Sequence, residues 1–224
     1  MKLVIYGNGS IARLLFSYAK RKYEVAAFTV DEVCMKKGER TFCGLPLIPF
    51  SKVQDKCDPK THKILIAVGF IEMNAVREKK SQEAAKKGYS FASYIHDSFL
   101  THDNVSIGEN SIVLDQVSIH PGCKIGKGTM ITSNVNIGHD CVIEDYCWIN
   151  SGVAVAGGAH IGKGSFLGIN ASIGHGVIIG KRNFIAANTL VVKKTKDDEV
   201  YLSKSGELFK LKSKAFLKFS RVLD

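Results

Sequence analysis

The chain has 224 residues, 45% of them hydrophobic, and its 31 Lys and Arg outnumber 21 Asp and Glu, for a formal net charge of +10. This length predicts two domains, and no apolar run approaches the roughly twenty residues of a membrane span. Residues 1–6 lack the basic and apolar regions of a signal peptide, so we expect a cytoplasmic protein. Nucleic acid is disfavoured as a partner, because the lysines are not interleaved with aromatic residues.

The first predicted domain, residues 1–92, opens with an apolar strand that runs into Gly7, Asn8, Gly9 and Ser10 and then into a helical pattern. This G-x-G-x-x-A spacing is typical of nucleotide-binding turns, and Asp31 follows the second strand, where an acidic residue meets a ribose in dinucleotide folds. About ninety residues hold one mononucleotide-binding half, so we expect one nucleotide moiety rather than a dinucleotide. The alternative, in which the glycines only form a tight turn, stays open.

The second predicted domain, residues 93–195, has a period of six. Counting in sixes from Ile95 to Val191 gives seventeen positions, of which sixteen are branched aliphatics, and the residue four positions further on is nearly always small. This period predicts a parallel β-helix in which 18 residues form one triangular coil and both the aliphatic and the small residue point inward. We expect the glycine that often follows the aliphatic to supply the turn conformations.

The cysteines predict free thiols rather than disulfides or a metal site. The chain has six, without a C-x-x-C pair. Cys123, Cys141 and Cys147 fall at small inward positions of the repeat, where packing alone explains them.

Two histidines share one outward corner of the predicted coils. His139 and His175 are 36 residues apart, which is two coils, with Gly157 between them. Stacking at strand spacing would place their imidazoles about 10 Å apart. Asp140 follows His139 and can fix its tautomer, so the pair is a candidate general base, and the Gly157 amide is a candidate oxyanion donor. A purely surface role for the pair is the alternative.

A short nucleotide-binding domain followed by a hexapeptide β-helix with a His-Asp pair resembles the bacterial sugar O- and N-acyltransferases. This family includes sialic-acid O-acetyltransferases and the N-acetyltransferases of perosamine and bacillosamine synthesis. The resemblance covers residues 1–195 and implies a left-handed β-helix, a homotrimer, and acetyl-CoA as acyl donor between neighbouring prisms, with no metal. It also implies an N-acetyltransferase of nucleotide-linked amino sugars that works by direct transfer and makes precursors for surface glycans such as lipopolysaccharide.

The resemblance assigns roles to residues of the β-helix. It makes His139 the base, Asp140 its acidic partner, and Gly157 the amide that binds the thioester carbonyl. The backbone of Ile169 and Ala187 would lie along coenzyme A.

The resemblance also assigns the nucleotide and sugar contacts. Nucleotide contacts fall on the glycine-rich turn and on Asp31. The stretch from Gly69 to Arg77 is similar to a G-[YF]-x-x-M-N-x-x-R segment of members that act on nucleotide-linked amino sugars. This similarity makes Gly69, Asn74 and Arg77 candidates for contacts to the substrate.

Two features depart from the family pattern. Trp148 stands where several members carry a second histidine that touches the cofactor, and an indole there can pack against the pantetheine arm. The usual N-P-A ending is replaced by a basic segment, residues 196–224, with apolar residues at helical spacing: Leu208, Leu211, Ala215, Phe219 and Val222. We predict a C-terminal helix that caps the open end of the prism, in preference to one attached to a membrane surface.

Three other functions stay open. A sugar O-acetyltransferase of the sialic-acid type would use the same parts. A γ-type carbonic anhydrase uses three zinc-ligating histidines, two of them spaced as His139 and His175 are, but Gly180 stands at the third position. A non-catalytic trimer would bind nucleotide sugar without transferring an acetyl group.

Overall fold

The computed structural model describes residues 1–220, and the first domain in it is an α/β unit. Its helices are α1 (Ser10–Ala19), α2 (Val53–Lys56) and α3 (Ala75–Lys86). Its strands are β1 (Lys2–Tyr6), β2 (Val25–Val30), β3 (Thr41–Phe42), β4 (Leu45–Pro49), β5 (His62–Ile66) and β6 (Ser90–Phe91). They form one sheet in the order β3-β4-β2-β1-β5-β6, parallel throughout except for the β3-β4 pair. The sequence did not predict β4, because this segment contains two prolines and prolines argue against a strand.

Both faces of this sheet are buried, because alternate residues of a strand point to opposite sides. Leu3 and Ile5 of β1 pack with α1 and with residues of the second domain. Val4 and Tyr6 point to the other face, where they pack with Phe50. The middle of the sheet is therefore covered on both faces.

The second domain is a prism of three parallel sheets built from strands of two residues. Its strands are β7 (Tyr94–Ile95), β8 (Ser106–Ile107), β9 (Ile112–Val113), β10 (Ser118–Ile119), β11 (Lys124–Ile125), β12 (Met130–Ile131), β13 (Asn136–Ile137), β14 (Val142–Ile143), β15 (Trp148–Ile149), β16 (Ala154–Val155), β17 (His160–Ile161), β18 (Phe166–Leu167), β19 (Ser172–Ile173), β20 (Ile178–Ile179), β21 (Phe184–Ile185), β22 (Leu190–Val191) and β23 (Val200–Tyr201). Sheet I contains β7, β9, β12, β15, β18, β21 and β23; sheet II contains β10, β13, β16, β19 and β22; sheet III contains β8, β11, β14, β17 and β20. The predicted fold class, an α/β domain followed by a hexapeptide β-helix, is confirmed.

The turns of the prism correct one prediction. Left-handed backbone occurs three residues after each aliphatic from Ile107 to Ile185, as at Asn110, Asp140 and Gly176, and not at the glycine directly after it. That glycine is needed for close stacking of the coils, because a Cβ on Gly126 would lie 2.5 Å from the Asp145 nitrogen of the next coil. The glycines after the aliphatics therefore allow coils to approach, and other residues make the turns.

The first domain packs on the outer surface of sheet I. One outward position of this sheet is apolar in every coil, and these residues recur every 18 positions: Tyr94, Ile112, Met130, Trp148, Phe166 and Phe184. They share one core cluster with Leu3, Leu15 and Phe28 of the first domain. We call this row the docking row. It fixes which side of the prism carries the first domain.

The far end of the prism is closed by residues 195–201. The Thr195 nitrogen donates to the Ile178 carbonyl, β23 pairs with β21, and Tyr201 packs against the inner core. Helix α4 (Ser213–Ser220) follows, but the apolar side chains from Leu208 to Leu217 are all exposed. The predicted capping role for this helix is therefore wrong, because other residues already cover that end. The side chain of Phe219 and all of Val222 lie outside the described residues.

Within residues 1–220, none of the helices has the length and apolar content that crossing a bilayer would require.

Candidate active site

The glycine-rich turn lies in a cavity of about 400 Å³ at the carboxyl end of β1. Gly7 has a φ of 135°, and a Cβ there would lie 2.6 Å from the Ala67 carbonyl oxygen, so only glycine fits. Gly9 begins α1 as its N-cap, and a Cβ on it would meet nothing within 4 Å. Exposed amides at a helix N-terminus with open space before them suit a phosphate group.

The same cavity gathers most of the predicted nucleotide contacts. Its lining includes Gly7, Asn8, Gly9, Ser10, Asp31 and Gly69. The Asn8 side chain is fixed in place, since its Nδ2 donates to the Cys34 carbonyl at 2.9 Å.

Asp31 already has a partner that the sequence did not reveal. The Lys80 Nζ lies 2.6 Å from an Asp31 carboxylate oxygen and 2.6 Å from Glu83. Burial lowers the pKa of Lys80, but its hydrogen bonds to the two carboxylates outweigh burial and raise it. Burial, followed by the Asp31 carboxylate, raises the pKa of Tyr6 in the same cavity. Lys80 lies on α3, far from the glycine motif in sequence, so only the fold brings it to the cavity.

Asn74 and Arg77 do not contact the cavity, which corrects their predicted role. Asn74 is 1% exposed and donates from Nδ2 to the Gly164 carbonyl at 3.0 Å. Arg77 is 3% exposed, donates to the carbonyls of Tyr146 and Cys147, and lies over the Trp148 ring. Burial lowers the pKa of Arg77 to about 10. Both side chains attach the first domain to the prism.

The turn before α3 explains how this attachment is built. Glu72, Met73 and Asn74 all have positive φ, an unfavourable conformation for residues with a Cβ. The bond from Asn74 to Gly164 holds this left-handed turn against the prism. Gly69 and Ile71, just before it, line the cavity. The motif therefore positions the cavity wall and leaves its polar side chains in the domain interface.

The second cluster lies at the corner between sheets II and III. The His139 Nδ1 is 2.9 Å from an Asp140 carboxylate oxygen, and both side chains are well exposed. An imidazole whose Nδ1 is bonded to a carboxylate presents Nε2 as the free nitrogen. This corner has the parts of a general base that is open to a ligand.

Gly157 makes room for the His139 ring. A Cβ on Gly157 would lie 2.5 Å from the His139 Nε2, so the ring rests directly on the backbone one coil away. Gly158 and Gly176 donate backbone hydrogen bonds to the neighbouring coils at this corner, whereas within residues 1–220 the Gly157 N–H donates none. A free amide beside a base nitrogen is suited to stabilising an oxyanion.

His139 and His175 are closer than the coil spacing predicted. Their ring centroids are 6.3 Å apart. Two coils separate the backbones, but the rings lean toward each other across Gly157, which has no side chain between them. Within residues 1–220 no three His, Cys, Asp or Glu side chains form a group that could hold a metal ion.

The predicted coenzyme A positions fall in two different environments. Ile169 and Ala187 are exposed and stack in neighbouring coils at the corner between sheets I and II. Trp148 is 4% exposed, because Phe70 and Arg77 cover its ring, and it donates from Nε1 to Asn150. The prediction that its indole contacts the cofactor is therefore wrong. Trp148 belongs to the docking row.

The inward cysteines are packing residues. Cys141 and Cys147 are fully buried, and their Sγ atoms lie near backbone carbonyls of the next coil. Burial raises the pKa of Cys141 to about 11 and that of Cys147 to about 12. A thiol so protected and so weakly acidic is a poor nucleophile at neutral pH.

The cavity and the His139 corner lie on different sides of one prism. The first domain covers sheet I, and His139 lies where sheets II and III meet. In a three-sided prism, that corner is opposite sheet I.

Comparison with known proteins identifies transferase hexapeptide repeats in the prism. The family model "Bacterial transferase hexapeptide (six repeats)" matches residues 104–139 and 158–193. A search of curated protein sequences gives no match.

Among solved structures, perosamine N-acetyltransferase from Caulobacter crescentus, a histidine-to-asparagine mutant in complex with CoA and GDP-perosamine, is similar with a TM-score of 0.81 and 25% identity. That match covers 89% of this chain and 92% of the other. The acetyltransferase domain of PglB from Neisseria gonorrhoeae in complex with acetyl coenzyme A has a TM-score of 0.78 and 21% identity over 89% and 94% of the chains. WeeI from Acinetobacter baumannii has a TM-score of 0.79 and 24% identity over 89% and 95%. The repeats and the shared two-domain fold confirm the predicted resemblance to the bacterial hexapeptide-repeat acyltransferases of sugars.

Proposed function

We propose that this chain is an acetyl-CoA-dependent N-acetyltransferase that acts on a nucleotide-linked amino sugar. The observation that carries the proposal is the His139-Asp140 pair resting on the bare backbone of Gly157. The acceptor class is supported by the cavity around Gly9 and by the similarity to an N-acetyltransferase whose structure contains CoA and GDP-perosamine.

The chemistry is a direct transfer. The neutral amine of the sugar attacks the thioester carbonyl, forming the C–N bond, and His139 Nε2 takes a proton from the attacking nitrogen. Asp140 accepts a hydrogen bond from the Nδ1–H of His139 and stabilises the imidazolium that forms. The Gly157 N–H donates to the oxyanion until the C–S bond breaks, and the departing thiolate takes up a proton.

Acetyl-CoA is the second substrate, and the exposed corner at Ile169 and Ala187 supports a place for it. Both residues are exposed at this corner. Part of this backbone is already used, because the Ser203 hydroxyl donates to the Ala187 carbonyl at 2.7 Å. The Ile169 carbonyl is bonded as well, since it accepts from the Asn188 nitrogen at 2.8 Å.

The arrangement of the two clusters supports a homotrimer. Since the cavity and His139 lie on different sides of one prism, a complete site needs the cavity of one copy and the His139 corner of its neighbour. Three prisms around an axis would supply three such sites. A cytoplasmic location remains a prediction from the sequence, and a role in making lipopolysaccharide or another surface glycan remains a prediction from the resemblance.

The test is release of free thiol from acetyl-CoA with a panel of UDP-, GDP- and dTDP-linked sugars. Each nucleotide is offered with 3-amino, 4-amino and matched hydroxyl sugars. We expect turnover with at least one amino sugar and none with its hydroxyl counterpart.

Other outcomes would assign a different function. Turnover only with hydroxyl sugars would favour an O-acetyltransferase. Saturable nucleotide-sugar binding without any thiol release would favour a non-catalytic binding protein. Stoichiometric zinc in the purified protein, together with hydration of carbon dioxide, would favour a carbonic anhydrase.

A further inference from the structure

The segment after the prism exposes an unusual amount of apolar surface. Of the 17 large hydrophobic side chains that are exposed within the described residues, six lie between residues 202 and 217. They are Leu202, Leu208, Phe209, Leu211, Phe216 and Leu217. Phe209 and Phe216 contact each other edge to face, with ring centroids 5.4 Å apart. Exposed apolar side chains grouped in this way indicate a surface that another protein or a membrane covers.

Lysines alternate with these apolar residues. Lys210, Lys212, Lys214 and Lys218 are exposed and lie within or just before α4. On the helix, Lys214 and Lys218 are one turn apart on one face, and Phe216 is about 200° from Lys214 around the axis. The segment therefore has a cationic side and an aromatic side.

The charge of the chain distinguishes a second copy of the chain from an anionic membrane as the partner of this segment. Residues 203–224 hold six Lys or Arg against two Asp or Glu, and the other 202 residues hold 25 against 19. A second copy of the chain is therefore basic as well. Five of the seven acidic side chains in residues 93–192 are already bonded within the chain: Asp97, Asp115, Asp140, Glu144 and Asp145. The prism of a second copy therefore offers few unbonded carboxylates to the four lysines.

We propose that residues 203–220 bind the surface of an anionic phospholipid bilayer. The apolar side chains of Phe209 and Phe216 enter the boundary between headgroups and acyl chains, and the lysines contact lipid phosphates. The prism end that residues 195–201 close would then face the membrane. This inference does not depend on the proposed acetyl transfer.

The test is co-sedimentation of the full chain with vesicles of phosphatidylcholine alone or of equal parts phosphatidylcholine and phosphatidylglycerol. We expect binding only to the anionic vesicles, and we expect added salt to weaken it, because salt screens the contacts between lysines and phosphates.

Two sets of variants examine the two sides of the segment. Replacing Lys210, Lys212, Lys214 and Lys218 by Gln should lower partitioning by about tenfold or more. The matched control replaces four exposed lysines of the first domain by Gln, at positions Lys52, Lys56, Lys60 and Lys86.

The second set removes the aromatic side. F209S with F216S should also lower partitioning by about tenfold or more, while V33S with L14S, at two other exposed apolar positions, should not lower it. Thermal unfolding of each variant checks that it folds.

Two results would overturn the proposal. One is native protein that stays in the supernatant with anionic vesicles. The other is an F209S/F216S variant that still binds vesicles but changes its oligomeric state in light scattering, which would assign the segment to contacts between copies.

Discussion

His139 is held by two neighbours that act in different ways. Asp140 bonds Nδ1 and determines which nitrogen is free, and Gly157 lets the ring lie on the next coil because it has no Cβ. His175 is close by, but the residue after it is Gly176, so it has no adjacent carboxylate. The two histidines of this corner therefore differ in their suitability as bases.

This difference gives a prediction. H139A should lower kcat by roughly 100-fold or more, because the attacking amine loses its proton acceptor, and should leave nucleotide binding unchanged. Initial rates of thiol release and calorimetric titration with the nucleotide measure the two effects. H175A is the matched control and should keep most of the turnover. Near-normal kcat in H139A would refute the role assigned to this residue.

The thiols give a second prediction at the same scale. Cys34 is exposed and Cys43 half-buried, whereas burial raises the pKa of Cys57, Cys123 and Cys141. A thiol reagent at mildly alkaline pH should therefore modify Cys34 first, and the buried thiols only after denaturation.

The Cys141 variant separates packing from catalysis. C141S should retain acetyl transfer, since Cys141 lies inside the prism. A loss of turnover without a loss of thermal stability would show that this thiol takes part in the reaction.

At the scale of elements, stability depends on which glycine of each turn is changed. A Cβ at Gly126 would lie 2.5 Å from the next coil, and one at Gly176 would meet nothing within 4 Å. Gly176 has a φ of 64°, similar to Asn110 and Asn134 at equivalent turns. We expect G126A to lower the free energy of unfolding by about 1–3 kcal/mol and G176N to leave it nearly unchanged. Denaturant titration of both variants checks this, and equal destabilisation would refute the assignment of the two roles.

The inner core of the prism was predictable, because one six-residue rule governs every coil. The docking row was not predicted, although its signal is present: outward residues from Tyr94 to Phe184 are apolar at a spacing of 18. A search at a period of six mixes these positions with the polar outward residues of sheets II and III and so hides them.

Asn74 and Arg77 were misassigned for a physical reason. Buried arginines without a carboxylate partner are rare, because removing the charge from water is costly, so a motif arginine is ordinarily expected to meet a ligand. Here Arg77 donates instead to the backbone carbonyls of Tyr146 and Cys147. Sequence alone does not show which carbonyls the fold will bring to a side chain.

At the scale of the whole molecule, the proposed site is divided between copies, which can be tested with two inactive variants. H139A removes the base. G9D places a carboxylate where the phosphate would bind, and it should fold because Gly9 has a φ of −101° and Asp is a favoured N-cap. Each variant alone should be inactive.

Mixed oligomers give the decisive measurement. Co-expression of H139A with G9D should restore part of the thiol release, because some sites then combine an intact cavity with an intact His139 from a neighbour. Mixing the separately purified and fully assembled variants is the control. No recovery in co-expressed protein of proven mixed composition would place both parts of the site in one chain.

The stacking of the coils has a consequence for how such enzymes can diverge. The first domain is attached at Tyr146, Cys147 and Gly164, while His139 sits at its own level of the stack. An insertion between these levels preserves the inner core only if it adds a whole coil, which moves one level by about 4.8 Å relative to the other. The height between the two substrate sites can therefore change only in steps of about 4.8 Å, and finer adjustment depends on the loops of the cavity.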